Sequence, residues 1–286
     1  GSPRASLRDA DVLTPAVGDW LLLIAAMLAT GAFAGVLAGL FGIGGGVVIV
    51  PVLDTALSIL GVDPAIRMHM AVGTSLATIV PTSISSSRAH WQRQSVDLDV
   101  VKRWSGYVLV GALAGAWIAA QVHSRVLAIV FAVIALLVAA RMVFMPEVRS
   151  VTNELPRRAW VPIIPTLIGM FSALMGIGGG VMSVTALSLF GMRIHRAVGT
   201  AALLGLAISI PGTLGFVAAG WNDPRVPPGS IGYVSLVGFA CIASTTILTA
   251  PLGARLAHAI NERRLSLLFG LFLALVAVRL LVRALA

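Results

Sequence analysis

Charge is what this sequence has least of. Only 11% of its 286 residues are Asp, Glu, Lys or Arg, less than half of the roughly 25% usual in a soluble domain. Hydrophobic residues make up 58%. Most of the chain therefore meets a solvent that does not hydrate ions, and no separate soluble domain has room to exist. There is one cysteine, Cys241, so an intrachain disulfide is excluded. It lies in an apolar run and reads as a small packing residue. Intramembrane acids mark proton relays and cation sites. Only Asp54 qualifies, so a cation pump is not expected. His69, His90, His123, His195 and His258 stand singly. The apolar segments hold no paired carboxylates, zinc-ligand spacing or Ser-His-Asp arrangement. No catalytic residue, metal or cofactor is expected, and the chain does not read as an enzyme. The net charge is +9. Its basic residues cluster between apolar runs, where they set membrane orientation, so nucleic acid is not an expected partner.

What the sequence does have is long apolar runs. A spanning helix needs about 20 apolar residues. Ten segments are predicted, at about 20–41, 47–60, 68–87, 104–122, 126–144, 161–175, 181–192, 197–220, 230–250 and 265–282. Residues 1–19 are polar, and Gly1-Ser2 reads as a remnant of cloning. The run from Trp20 is too long for a signal-peptide core and reads as a retained membrane helix.

The chain also repeats itself. Gly35 to Val47 aligns with Gly169 to Val181, each carrying Gly-Ile-Gly-Gly-Gly. Ala71-Val-Gly-Thr74 recurs as Ala197-Val-Gly-Thr200, and Gly106-Tyr-Val108 as Gly232-Tyr-Val234. Leu127 to Val143 resembles Leu265 to Leu281. The matches keep one order, so the chain reads as a first transmembrane repeat at 20–144, a cytoplasmic linker at 145–160 and a second repeat at 161–286. The first two segments of each half return the chain to its starting side, and three crossings follow. The second half is then inverted relative to the first. The charges agree. Arg88, Arg93, Lys102, Arg103, Arg149, Arg157, Arg158, Arg193, Arg196, Arg255, Arg263 and Arg264 fall on one side, against Arg4, Arg8, Arg67, Arg125, Arg225 and Arg283 on the other. The richer side is expected to be cytoplasmic, with both termini outside.

Four glycines in five residues at membrane depth break a helix, since glycine costs about 1 kcal/mol there relative to alanine. Broken backbone is tolerated in a membrane only when buried in protein or lining a cavity. The helix that restarts offers free N–H groups and a positive dipole end. Two such starts, near Val47 and Val181 and related by inversion, are the arrangement of an anion site near the bilayer midplane. Gly31, Gly35 and Gly39, like Gly111 and Gly115, are spaced for helix packing instead. Hydroxyls offer donors without a buried charge. Thr74, Ser75, Thr78, Thr82, Ser83, Ser85, Ser86 and Ser87 supply them in the third segment, and Thr200, Ser209 and Thr213 in the eighth. Arg88 and Trp91, Trp104, Trp160 and Trp221, near segment ends, read as interface residues.

The doubled Gly-Ile-Gly-Gly-Gly, each copy followed by a small-residue helix and an Ala-Val-Gly-Thr start, resembles the sulfite exporter TauE/SafE family. So does the stretch from His90-Trp91 to Val96-Asp97. The resemblance covers nearly all of the chain from Trp20. It implies transport of a small sulfur-containing anion, such as sulfite, sulfoacetate or another organosulfonate, across the bacterial inner membrane. The matching positions are Gly42, Gly44, Gly45, Gly46, Thr74, Gly176, Gly178, Gly179, Gly180 and Thr200. Ser75 faces Ala201 in the second copy, so the site is not strictly symmetric.

The expected molecule is an all-α integral membrane protein of two inverted halves, each of about five helical segments, with glycine-broken helices near the midplane. Its expected partners are the lipid bilayer and a small sulfur-containing anion bound by those glycines, Thr74, Ser75 and Thr200. An anion channel of the same pore chemistry and a non-transporting membrane partner protein are the alternatives.

Overall fold

The structure, a computed structural model, describes residues 17–41, 44–144, 162–256 and 262–285. Nearly all of them are helical. The helices are α1 (Val17–Phe41), α2 (Gly46–Ile59), α3 (Pro64–Trp91), α4 (Leu98–Gln121), α5 (Ser124–Phe144), α6 (Ile163–Met175), α7 (Gly180–Leu189), α8 (Ile194–Gly220), α9 (Leu236–Leu256) and α10 (Glu262–Leu285). A short antiparallel hairpin, β1 (Ser230–Ile231) and β2 (Val234–Ser235), precedes α9.

Helix satisfies backbone polar groups within one segment, which hydrocarbon demands. The ends follow local chemistry. The Asp63 carboxylate accepts the Ala65 N–H at the start of α3, where Pro64 needs no partner. The Asp97 carboxylate accepts from Asp99 and Val100 at the start of α4. Helices of this kind reach about 1.5 Å per residue. Leu21–Phe41, Ser124–Phe144, Ile194–Gly220 and Leu236–Leu256 are long and apolar enough to cross a membrane. At 14, 13 and 10 residues, α2, α6 and α7 each fall short of the roughly 30 Å of a hydrocarbon core.

The ten predicted segments are the ten helices, with two corrections. Residues 230–235 are the hairpin rather than the start of a helix. Arg225 holds Asp223, and the Tyr233 hydroxyl donates to Asp223 at 2.7 Å, which ties this loop into a fixed shape. The Gly-Tyr-Val match is not a structural equivalence either. Gly106 to Val108 lie inside α4, while Gly232 to Val234 make the hairpin turn.

The main packing pairs cross between the halves of the chain. α1 runs along α9, α4 along α6, α5 along α10, and α3 against α8. The spaced glycines make these approaches possible. A Cβ on Gly35 would lie 2.1 Å from Thr249 Oγ1, and one on Gly111 would lie 2.0 Å from the Thr166 carbonyl oxygen. The predicted packing role of these glycines is therefore what the structure shows. α3 is buried along most of its length, hydroxyls included. The outer face carries exposed Trp117, Leu137, Leu214, Leu248 and Leu275, and the interior is apolar too apart from buried hydroxyls, His69, His90 and Asp54. Trp91 and Trp221 are exposed at helix ends, but Trp104 is buried edge-on against Phe190. Its ring completes the contact between α4 and the end of α7 rather than an interface anchor. Trp160 lies outside the described residues.

Candidate functional site: two abutting helix breaks

The two glycine runs adopt one backbone conformation. Gly44 and Gly45 have φ of 69° and 74°, and Gly178 and Gly179 have 68° and 75°. Two successive left-handed residues are open only to glycine without a cost of about 1–2 kcal/mol each. Gly45 and Gly179 are the residues from which α2 and α7 start. No side chain caps either start. The first N–H groups of a helix have no partner within it. At α7 the first helical bond runs from the Ser183 N–H to the Gly179 carbonyl. The N–H groups of Gly179, Gly180 and Val181 find no acceptor among the described residues. Helix restarts expected near Val47 and Val181 thus lie one residue earlier, at Gly46 and Gly180.

The structure brings the two breaks together. A Cβ on Gly46 would lie 2.1 Å from the Gly176 carbonyl oxygen, so only glycine permits the contact. Ser75 of α3 donates to the same carbonyl at 2.7 Å. Its counterpart Ala201 is buried and has no hydroxyl to give. The asymmetry read from the sequence is therefore an asymmetry of hydrogen bonding at the junction. Gly44, Gly45, Gly46, Gly176, Gly178, Gly179 and Gly180 are all buried. Gly42 lies outside the described residues.

Two isoleucines close the junction. Ile79 lies against Gly44 and Gly178, and the Cδ1 of Ile208 lies against Gly179. Both belong to the middle of long helices, α3 and α8, so the breaks sit at mid-depth in the bundle. Ser83 Oγ and the Gly178 carbonyl oxygen both approach Gly205 closely, at 2.8 and 3.3 Å from where its Cβ would stand. Ser172 Oγ stands in the same way 3.2 Å from the Cβ position of Gly179. The sequence reading missed Ile79, Ile208 and Gly205, because one more apolar or small residue in an apolar helix carries no signal. None of the side chains that meet these glycines is charged, and the nearest polar groups are peptide N–H groups, carbonyls and hydroxyls, with Arg141 donating to Thr185 farther along α7.

Thr74 and Thr200 face elsewhere. Thr74 Oγ1 accepts the Ser235 N–H at 2.9 Å, just ahead of α9. Thr200 Oγ1 accepts the Asp97 N–H at 2.9 Å, just ahead of α4, and donates to the Arg196 carbonyl. Beside them, Gly73 and Gly199 admit the Tyr233 and Ser95 carbonyl oxygens. The repeated Ala-Val-Gly-Thr thus builds two matching joints, each fastening a long helix to the start of a helix from the other half. Other hydroxyls also hold helices together. Thr82 Oγ1 lies 2.7 Å from Thr246 Oγ1, and Ser85 donates to the Ile247 carbonyl. Ser86, Ser183, Ser188 and Ser209 are different. Their hydroxyls are buried and find no partner among the described residues. Ser183 stands in the first turn of α7, directly after the second break. A buried unpaired hydroxyl costs about 1–3 kcal/mol, so this one is dear unless something uses it.

Asp54, the one acid inside an apolar segment, is 5% exposed and paired with Arg67 at 3.0 Å and Arg283 at 3.4 Å. Outside the membrane segments, Arg225 holds the Asp223 carboxyl well below the usual carboxylate range. Burial and the Asp223 carboxylate push the Tyr233 phenol up to about 12.

Comparison with known proteins agrees with this architecture. Residues 27–280 match the family model described as sulfite exporter TauE/SafE. A probable membrane transporter protein of Haemophilus influenzae is 34% identical over 256 residues, covering 90% of this chain and 97% of the relative. One of Methanocaldococcus jannaschii is 24% identical over 257 residues, covering 87% and 92%. No solved structure matches the chain.

Proposed function

This chain belongs to the sulfite exporter TauE/SafE family of membrane transporters, and from that premise we propose that it carries sulfite or a small organosulfonate anion such as sulfoacetate. The anion is held where the two glycine breaks meet. The N–H groups of Gly179, Gly180 and Val181, the matching groups at Gly45, Gly46 and Val47, and the hydroxyl of Ser183 form its shell, and Ser75 fixes the Gly176 carbonyl beside it. Thr74 and Thr200 act on that shell from the joints behind it. The single observation that carries this reading is the abutment of two buried breaks, each leading into a helix whose first N–H groups find no acceptor among the described residues. Free N–H groups and a positive helix end favour an anion, and an uncharged shell avoids burying a lone cation.

The packing supports an inverted repeat, with residues 20–144 as one half and 161–286 as the other. Pair α1 to α5 in order with α6 to α10. Under that exchange the α1–α9 contact becomes α6–α4, and α3–α9 becomes α8–α4. The α3–α8 and α5–α10 contacts map onto themselves, as a pseudo-two-fold axis requires. Transport then follows from rocking of the halves about the junction. Ile79 and Ile208 are the side chains that must withdraw for an anion to reach the N–H groups. Their close seal favours a carrier cycle over a standing pore. The membrane is the inner membrane, with 145–160 cytoplasmic and both termini external.

The test is flux into proteoliposomes for sulfite, sulfoacetate, thiosulfate, sulfate and chloride, with and without a pH gradient. Saturable flux selective for sulfite or a sulfonate is expected. Large unselective currents, or no flux of any sulfur anion by folded protein, would overturn the assignment.

A further inference from the structure

Away from the glycine junction, the ends of α2, α3, α5 and α10 meet around a cavity of about 230 Å³. Liquid water occupies about 30 Å³ per molecule, so a small oxyanion fits together with part of its hydration shell. Arg67, Arg125 and Arg283 line the cavity, opposed by one acid, Asp54. The lining charge is thus three positive against one negative. Helix ends add little, because the starts of α3 and α5 meet the finishes of α2 and α10 and their dipoles oppose. The field in the cavity is that of the guanidinium groups.

Those groups have donors to spare. Each guanidinium carries five N–H bonds in a planar fork. Arg67 commits Nε to Asp54 and Nη1 to Ser58. Arg283 likewise gives one N–H to Asp54 and one to Ser58. Arg125 gives a single N–H to the Leu285 carbonyl. Asp54 is nearly buried, while Arg283 keeps 41% of its side chain accessible. The acid therefore acts as an anchor that gathers two arginines, and their outer N–H groups stay open to the cavity.

We propose that the Arg67–Arg125–Arg283 cavity is a second oxyanion site, distinct from the glycine junction, for a doubly charged tetrahedral or pyramidal group of the sulfate or phosphate class. Two unit charges in excess and forked donors on three sides match a dianion. The group is either a free oxyanion collected at the mouth of the transporter or the phosphate of an anionic lipid headgroup.

The test is a binding measurement, independent of transport, so it fails or succeeds apart from the proposed function. Sodium sulfate is titrated calorimetrically into the full chain in nanodiscs of zwitterionic lipid, at fixed ionic strength. Retained lipid is measured by native mass spectrometry. Arg125→Gln is the first variant, because it leaves both Asp54 ion pairs intact. Sulfate affinity is expected to fall about tenfold with unchanged thermal unfolding. Asp54→Asn is the second. It adds a net positive charge and frees guanidinium donors, so binding should tighten, whereas a purely structural Asp54 would only lower stability. Sulfate binding weakened in this way in Arg125→Gln identifies a free oxyanion. Anionic lipid retained by the parent protein and lost in Arg125→Gln identifies a headgroup. The same sulfate affinity and the same retained lipid in the parent and Arg125→Gln would overturn the site.

Discussion

Gly46 and Gly61 show two different uses of one residue. Gly61 has φ of 73° and nothing within 4 Å of where a Cβ would stand, so Gly61→Ala pays only the left-handed backbone, about 1–2 kcal/mol. Gly46 is helical, but a Cβ there meets the Gly176 carbonyl oxygen at 2.1 Å. Gly46→Ala must drive the two breaks apart and should lower the unfolding temperature in detergent well beyond Gly61→Ala. Equal shifts would show that the breaks do not abut. Thr74→Val and Thr200→Val each strand a backbone N–H, that of Ser235 or Asp97, at about 1–3 kcal/mol. Thr→Ser at either position should restore most of the thermal stability. If serine rescues neither, the joint is not what the hydroxyl serves. At this scale the sequence marked the glycines and threonines by repeating them. It could not mark their partners, because Ser235 and Asp97 lie 161 and 103 residues away in the chain. Ile79 and Ile208 were invisible for a plainer reason, being ordinary residues made special only by what they touch.

Helices were the most legible elements, since membrane-length apolar runs leave the backbone little choice. The breaks were legible too, because contiguous glycines serve no packing need that spaced ones do not meet. The hairpin before α9 was not. Its two-residue strands carry no alternating pattern, and its shape depends on Asp223, Arg225 and Tyr233 meeting in space. The Gly-Tyr-Val match misled there because three residues agree by chance in chains rich in glycine and valine. The Asp223 carboxyl is held low by Arg225. A carboxyl with a lowered folded pKa stabilises above its unfolded value of about 3.9 and loses that contribution as pH falls further. The stability difference between the parent and Asp223→Asn is expected at pH 7 and should shrink as pH drops below about 4. A difference that grows in acid would contradict the ion pair. Between helices, Gly35→Leu puts a large side chain where α1 meets Thr246 and Thr249 of α9. It should prevent accumulation of folded protein, checked by monodispersity in detergent, while Leu214→Ala on the exposed face of α8 should be tolerated.

The whole molecule is apolar at its surface and mostly apolar within, and its halves interlock rather than sit side by side. That much follows from composition and from spaced glycines. The proposed orientation in the membrane rests on charge alone, and labelling checks it. In a Cys241→Ser background, Arg225→Cys should react with an impermeant maleimide on intact cells, and Lys102→Cys only after the membrane is opened. The reverse pattern would invert the proposed topology. The central claim is that the anion binds where the two glycine breaks meet. Its most direct test is sulfite flux into proteoliposomes by Gly179→Val, set beside the parent protein and a Gly61→Ala control. At Gly179 a Cβ meets the flexible end of Ile208 and one serine hydroxyl, and the left-handed backbone adds about 1–2 kcal/mol, so the anion shell is filled and distorted and folding is checked by monodispersity in detergent. The account predicts flux reduced at least about tenfold, with the control near normal. Parental flux from a folded Gly179→Val protein would place the anion elsewhere and contradict the account.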